Sequence, residues 1–180
     1  MNDPAERPES LSSLRSSGMD RGGDHENRPV RVAVGVLGRR HGNLPDGNPE
    51  VLIALRRADG VLGGLWEFPG GKLESGESAE AALVREMREE LGIEIRVSGR
   101  LTEVQHRYDH GAVRLEVFGC ALADLNGPEP EALAADAVRW VDADGLASAA
   151  FPEANGPIVK AARDWMANGF GALPDVTGSK

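Results

Sequence analysis

Residues 71–93 read GKLESGESAEAALVREMREELGI, and the rest of the chain is best read outward from this stretch. Gly71, Glu77, Arg85, Glu86, Glu89, Glu90 and Gly92 fall in the spacing G-x5-E-x7-R-E-x-x-E-E-x-G, with Met87 and Ile93 in its two apolar slots. Ser78 is placed as an N-cap, Glu80 falls in the positively polarised first turn, and Gly92 can end the helix in a left-handed conformation. At about 100° per residue, Leu83, Val84, Met87 and Leu91 share one arc that should face a sheet. Glu86, Glu89 and Glu90 share another arc. Like charges one turn apart, as Glu86 and Glu90 are, repel by about 0.2–0.5 kcal/mol. Such stacking makes sense when a hard divalent cation neutralises the carboxylates. The plainer alternative is a solvated acidic helix; the glycines, Glu77 and Arg85 in register with the acids weigh against it. Arg85, one turn before Glu89, can orient that carboxylate by hydrogen bonding.

Upstream, Pro69-Gly70-Gly71 closes a short extended piece, Trp66-Glu67-Phe68. The two glycines serve either a tight turn or a close approach of backbone to metal and phosphate, with the Gly70 carbonyl as a ligand. Residues 30–37, rich in β-branched side chains, predict a strand. Residues 38–49 carry turn chemistry (Gly42-Asn43, Pro45-Asp46-Gly47) and predict a loop. A second strand is expected over 51–57, paired antiparallel with the first. Downstream, strands are expected over 101–107 and 113–122 around the turn 109–111, and another over 137–141. Helices are expected over 144–149 and 154–168. The order predicts an α/β fold, a mixed β-sheet with helices packed on it.

The chain of 180 residues suits one domain with tails. Residues 1–28 are poor in large apolar side chains and predict a disordered tail, 29–172 form the domain, and 173–180 read as a flexible C-terminal tail. The net charge of −9 argues against many phosphate contacts with duplex nucleic acid, yet suits a nucleotide bridged by cations. The single cysteine, Cys120, excludes an internal disulfide, and its apolar neighbours predict a core residue, not a nucleophile. No run reaches the roughly 20 apolar residues of a membrane helix. No signal-peptide stretch opens the chain, so a cytoplasmic enzyme is expected. Oligomeric state is not fixed by the sequence.

The 71–93 pattern is identified as a Nudix box. Over about residues 30–164 the chain is similar to MutT-type 8-oxo-dGTP diphosphatases, through Ala54-Leu55-Arg56-Arg57, Leu65-Trp66-Glu67-Phe68-Pro69-Gly70-Gly71-Lys72 and Phe151-Pro152-Glu153-Ala154-Asn155-Gly156-Pro157-Ile158. The resemblance implies a Nudix-type α/β/α sandwich and a Mg²⁺-dependent pyrophosphohydrolase, with Mn²⁺ as a possible substitute. Glu86, Glu89, Glu90 and Gly70 would hold metal. Glu89 would be the base, with Arg85 and Glu77 supporting it. Arg57 and Phe68 would line the base pocket, and Asn155 would read the oxidised guanine. Oxidation at C8 turns guanine N7 into a donor while O6 stays an acceptor, which suits a carboxamide. The alternative role for Asn155 is to cap the helix after it. Lys72 either steers the triphosphate or is a surface lysine.

Two rival functions follow from the same residues. One is a pyrimidine-directed or broad-specificity pyrophosphatase. The other is a non-hydrolytic module, because His106, Tyr108 and His110 resemble a pattern in the lesion-binding domain of MutY-type glycosylases. The late acidic ligand that the MutT family can carry near Trp140 is missing at Ala134 and Ala135, leaving Asp136 or Glu131 to replace it.

Overall fold

The computed structural model describes residues 28–44, 46–108 and 111–171. Its seven strands form one mixed sheet: β1 (Val30–Arg40), β2 (Pro49–Leu55), β3 (Trp66–Glu67), β4 (Gly70–Lys72), β5 (Ile95–Tyr108), β6 (Gly111–Leu122) and β7 (Ala137–Val141). Three helices, α1 (Ala79–Leu91), α2 (Ala143–Ser148) and α3 (Gly156–Ala167), pack on it. The main path runs β3-β2-β1-β6-β5, with β7 on β2 and β4 on β1. β1 and β6 are parallel, and every other pairing is antiparallel. The fold is the expected α/β/α sandwich.

Strand alternation divides the core in two. On one face Ala33, Leu37, Leu52, Phe118 and Cys120 pack under Leu83, Met87 and Leu91 of α1. On the other Val34, Val36, Val51, Ile53 and Val117 pack against Leu146 of α2 and Ile158, Ala162, Trp165 and Met166 of α3. Ser78 caps α1 by accepting the Ala81 N–H at 3.1 Å. Gly92, at φ 69, closes the helix with its N–H on the Arg88 carbonyl.

Several boundaries differ from expectation. β1 runs on to Arg40, through the predicted loop, because Gly38 makes no turn there. A Cβ at Gly38 would lie 2.6 Å from Phe170 and 2.9 Å from Trp165, so its missing side chain admits the aromatic pair beneath α3. β2 starts at Pro49 and stops at Leu55, leaving Arg56 and Arg57 outside it. β5 starts at Ile95 and not at 101, because bulges at Val97/Gly99 and Arg100/Thr102 break the alternation that would reveal it. The last helical stretch is split: residues Glu153–Asn155 make a 3-10 turn before α3. The N-terminal tail, residues 172–180 and the turn residues 109–110 lie outside the described residues.

Candidate active site

The site forms where the edge of β1 changes partner. β1 pairs with β4 at Val32–Val34 and with β2 at Gly38–Arg40. Residues 66–72 cross between these halves, leaving β2 after Glu67 and joining β1 at Gly70. The crossing is pinned midway, where the Pro69 carbonyl accepts the Gly35 N–H at 2.9 Å. One short segment therefore carries Glu67, Phe68, Gly70, Gly71 and Lys72 past the acidic side of α1.

Both glycines are required by close approach. Gly70 has φ 145, and a Cβ on it would stand 2.1 Å from the Ala33 carbonyl oxygen. A Cβ on Gly71 would stand 2.1 Å from a Glu86 carboxylate oxygen. The Gly70 N–H donates to Glu90 Oε2 at 3.2 Å. Burial first, then the Glu86 and Glu67 carboxylates, push the Glu90 carboxyl up to about 7, against the Gly70 hydrogen bond and Arg56.

Arg85 organises the other acids. Its Nε and Nη2 donate to the two Glu77 oxygens at 3.1 and 3.0 Å, and its Nη1 donates to Glu86 Oε1 at 2.8 Å. Nη2 also donates to the Lys72 carbonyl at 3.1 Å, tying helix to loop. These hydrogen bonds, with that from the Glu74 N–H, hold Glu77 below the usual carboxylate range. The same contacts raise the Arg85 pKa, keeping it cationic. Glu89 is reached by Arg85 only at 3.5 Å and its side chain is 62 % exposed. Arg85 thus clamps Glu77 and Glu86 closely and reaches Glu89 with a longer hydrogen bond from Nη1.

Glu86 and Glu90 face the Gly70-Gly71 segment, while Glu89 stands on the solvent side. Among the described residues, no three His, Cys, Asp or Glu side chains are gathered closely enough to hold a metal ion. The expected donors, Glu86, Glu89, Glu90 and the Gly70 carbonyl, would offer oxygen atoms alone, the chemistry that suits a hard divalent cation.

The predicted pocket residues separate into two groups. Phe68 is buried and stacks on Phe151, ring centres 5.4 Å apart and planes at 17°, bringing the Phe151–Asn155 segment against the crossing. Asn155 occupies the N-cap position of α3, but its side chain makes no capping hydrogen bond. Arg57 is exposed and lies 3.5 Å from Asp59; Lys72 extends into solvent. Of the late acids, Asp136 is engaged elsewhere, its Oδ2 accepting the Ala58 N–H at 2.9 Å. Glu131 lies at the C-terminal end of α1, its N–H on the Leu91 carbonyl. Sequence reasoning passed over Glu67 and Arg56, an ion pair beside Glu90. An acid alternating with two aromatics in Trp66-Glu67-Phe68 was the available signal. Cys120 is buried and its thiol is pushed up to about 12 by burial, as suits the expected core residue.

The structure thus sets a glycine-lined crossing against an acidic helix, with an arginine clamp between. The profile of the NUDIX domain family matches residues 43–161. An 8-oxo-dGTP diphosphatase of Proteus vulgaris is 38% identical over 93 residues, covering 52% of this chain and 77% of that protein. A CTP pyrophosphohydrolase of Escherichia coli K12 is 44% identical over 69 residues, covering 38% of this chain and 51% of that protein. The solution structure of the E. coli ORF135 protein superposes with a TM-score of 0.63 at 31% identity, covering 79% of this chain and 94% of that one. The chain belongs to the Nudix family, and it is a nucleotide pyrophosphohydrolase related at moderate identity to the MutT homologues. Membership carries a general dependence on divalent metal. Among the described residues, no helix is long and apolar enough to cross a membrane.

Proposed function

We propose that this enzyme hydrolyses 8-oxo-dGTP to 8-oxo-dGMP and pyrophosphate, removing an oxidised nucleotide from the precursor pool. The observation that carries the reading is Asn155. It ends the 3-10 turn before α3 with helical φ/ψ, and its side chain makes no capping hydrogen bond. Its carboxamide is left to meet a base edge that offers one donor and one acceptor. Unmodified guanine offers two acceptors there and strands the amide oxygen, so the site can discriminate by an unpaired buried group. The stacked Phe68 and Phe151 supply an apolar wall beside it.

The remaining roles follow the polyphosphate. Gly70 and Gly71 let backbone approach it closely, and Lys72 meets its outer charge. Glu86, fixed by Arg85, and Glu90, fixed by Gly70, would hold the divalent cation together with Glu89 and the Gly70 carbonyl. That cation supplies neutralisation of phosphate oxygens and a more acidic attacking water. Glu89, the least engaged of the three acids, accepts the proton from the water. Glu77 keeps the Arg85 fork in place.

The CTP pyrophosphohydrolase relative supports a second reading, in which the same centre takes pyrimidine triphosphates. Turnover of 8-oxo-dGTP, dGTP and CTP measured separately by pyrophosphate release with Mg²⁺, and of ADP-ribose by AMP formation, decides between them. The proposal requires the highest kcat/KM for 8-oxo-dGTP; a preference for CTP replaces it with the second reading.

A further inference from the structure

Glu67 lies between two side chains that point the other way. Trp66 and Phe68 belong to the core beneath α3, so strand alternation turns Glu67 toward α1. Its register partner on β2 is Ala54, two residues from Leu52 of the α1-side core. Arg56, two residues on, shares that face and donates through Nη1 to Glu67 Oε2. The guanidinium is held a second time, Nε donating to the Val61 carbonyl at 2.9 Å. Backbone bonds fix its base: Arg56 N–H to the Leu65 carbonyl at 3.0 Å and Gly64 N–H to the Arg56 carbonyl at 3.2 Å. Three residues after Glu67, Gly70 anchors Glu90. Glu67, turned toward α1 three residues ahead of Gly70, therefore lies on the side of the crossing that meets Glu90.

We propose that the Arg56–Glu67 pair sets the cation affinity of the acidic site, Glu67 as a fourth negative charge beside Glu90 and Arg56 as its built-in counterweight. Both act through Glu90 and are positioning residues. The inference rests on the proposal that Glu86, Glu89 and Glu90 hold a divalent cation. It also accounts for a centre whose late acid Asp136 is committed elsewhere.

The test is Mn²⁺ binding to the nucleotide-free protein at low salt, read from the free-ion electron paramagnetic resonance signal, with a thermal melt of each variant. Glu67→Gln strands the Arg56 cation beside Glu90 and weakens Mn²⁺ binding at least about threefold. Arg56→Gln strands the Glu67 carboxylate and tightens it by a comparable factor, and the double variant returns toward wild type. Arg56→Lys, which keeps the charge, binds Mn²⁺ as wild type does. A role confined to holding the loop moves both single variants the same way. That result, or unchanged affinity in both, overturns the inference. Should Arg56→Gln fail to fold, the contrast of Glu67→Gln with Arg56→Lys decides alone. Wild-type protein that takes up no Mn²⁺ overturns the cation site and the inference with it, whereas normal uptake with unmoved variants overturns the inference only.

Discussion

A Cβ at Gly71 would sit 2.1 Å from the carboxylate that Arg85 holds in place, so one methyl group can misplace Glu86 without touching the core. Gly71→Ala is expected to lower kcat roughly a hundredfold, the scale on which a 1 Å displacement of a reacting group acts. The melting temperature should stay near wild type; full turnover would show that Glu86 tolerates the push. Glu89 tests a different link, because it is exposed and weakly held. Glu89→Gln should cut turnover by about two orders of magnitude or more with circular dichroism unchanged, as removal of a general base requires. Near-normal turnover moves the base role to another acid. Asn155 bears on selectivity alone. Asn155→Ala should reduce the ratio of kcat/KM for 8-oxo-dGTP over dGTP at least about tenfold, the worth of stranding a buried polar group. A ratio that stays put removes Asn155 from base recognition.

Among the elements, α1 carries the acids and depends on its ends. The Ser78 hydroxyl accepts the Ala81 N–H, and Ser78→Ala should destabilise the protein by about 1 kcal/mol in urea, lowering the midpoint with the slope unchanged. An unmoved midpoint would mean that packing of Leu83, Met87 and Leu91 fixes the helix without its cap. This helix was legible in the sequence because both its boundaries and its two faces are written in local chemistry. The strands around it were less so, since glycine has two uses that look alike in sequence. Gly92 does end a helix, but Gly38 and Gly70 sit inside strands, where they admit Phe170 and the β1 backbone. The acids themselves could be listed from spacing, and so could Phe68 and Asn155 from resemblance. What spacing could not supply was the choice of partner. How closely Arg85 holds each of Glu77, Glu86 and Glu89, and whether Arg56 or Arg57 pairs with Glu67, depends on side-chain direction that spacing does not carry.

At the scale of the molecule, the sheet separates two tasks: acids and α1 on one face, Phe68 and Phe151 with α3 on the other, joined by the crossing at residues 66–72. Cys120 lies in the α1-side core, where its Sγ is 3.7 Å from the Phe118 carbonyl. This thiol reports on the integrity of that core. Below pH 9 it is protonated in both the folded and the unfolded chain, and it contributes nothing to pH dependence. Between 9, its ordinary value, and about 12, its value in the fold, only the unfolded chain releases the proton. The unfolded state therefore gains, and stability falls by as much as about 1.4 kcal/mol per pH unit in this window. Urea unfolding of wild type and Cys120→Ala at pH 8 and pH 10 isolates the effect, because every other titration is common to both. Cys120→Ala starts less stable from its cavity, and the gap between the two proteins should narrow as the pH rises. Parallel losses, or rapid modification of the native thiol by a soluble disulfide reagent at pH 8, would mean that this face opens to solvent on its own and does not hold the thiol in a closed core.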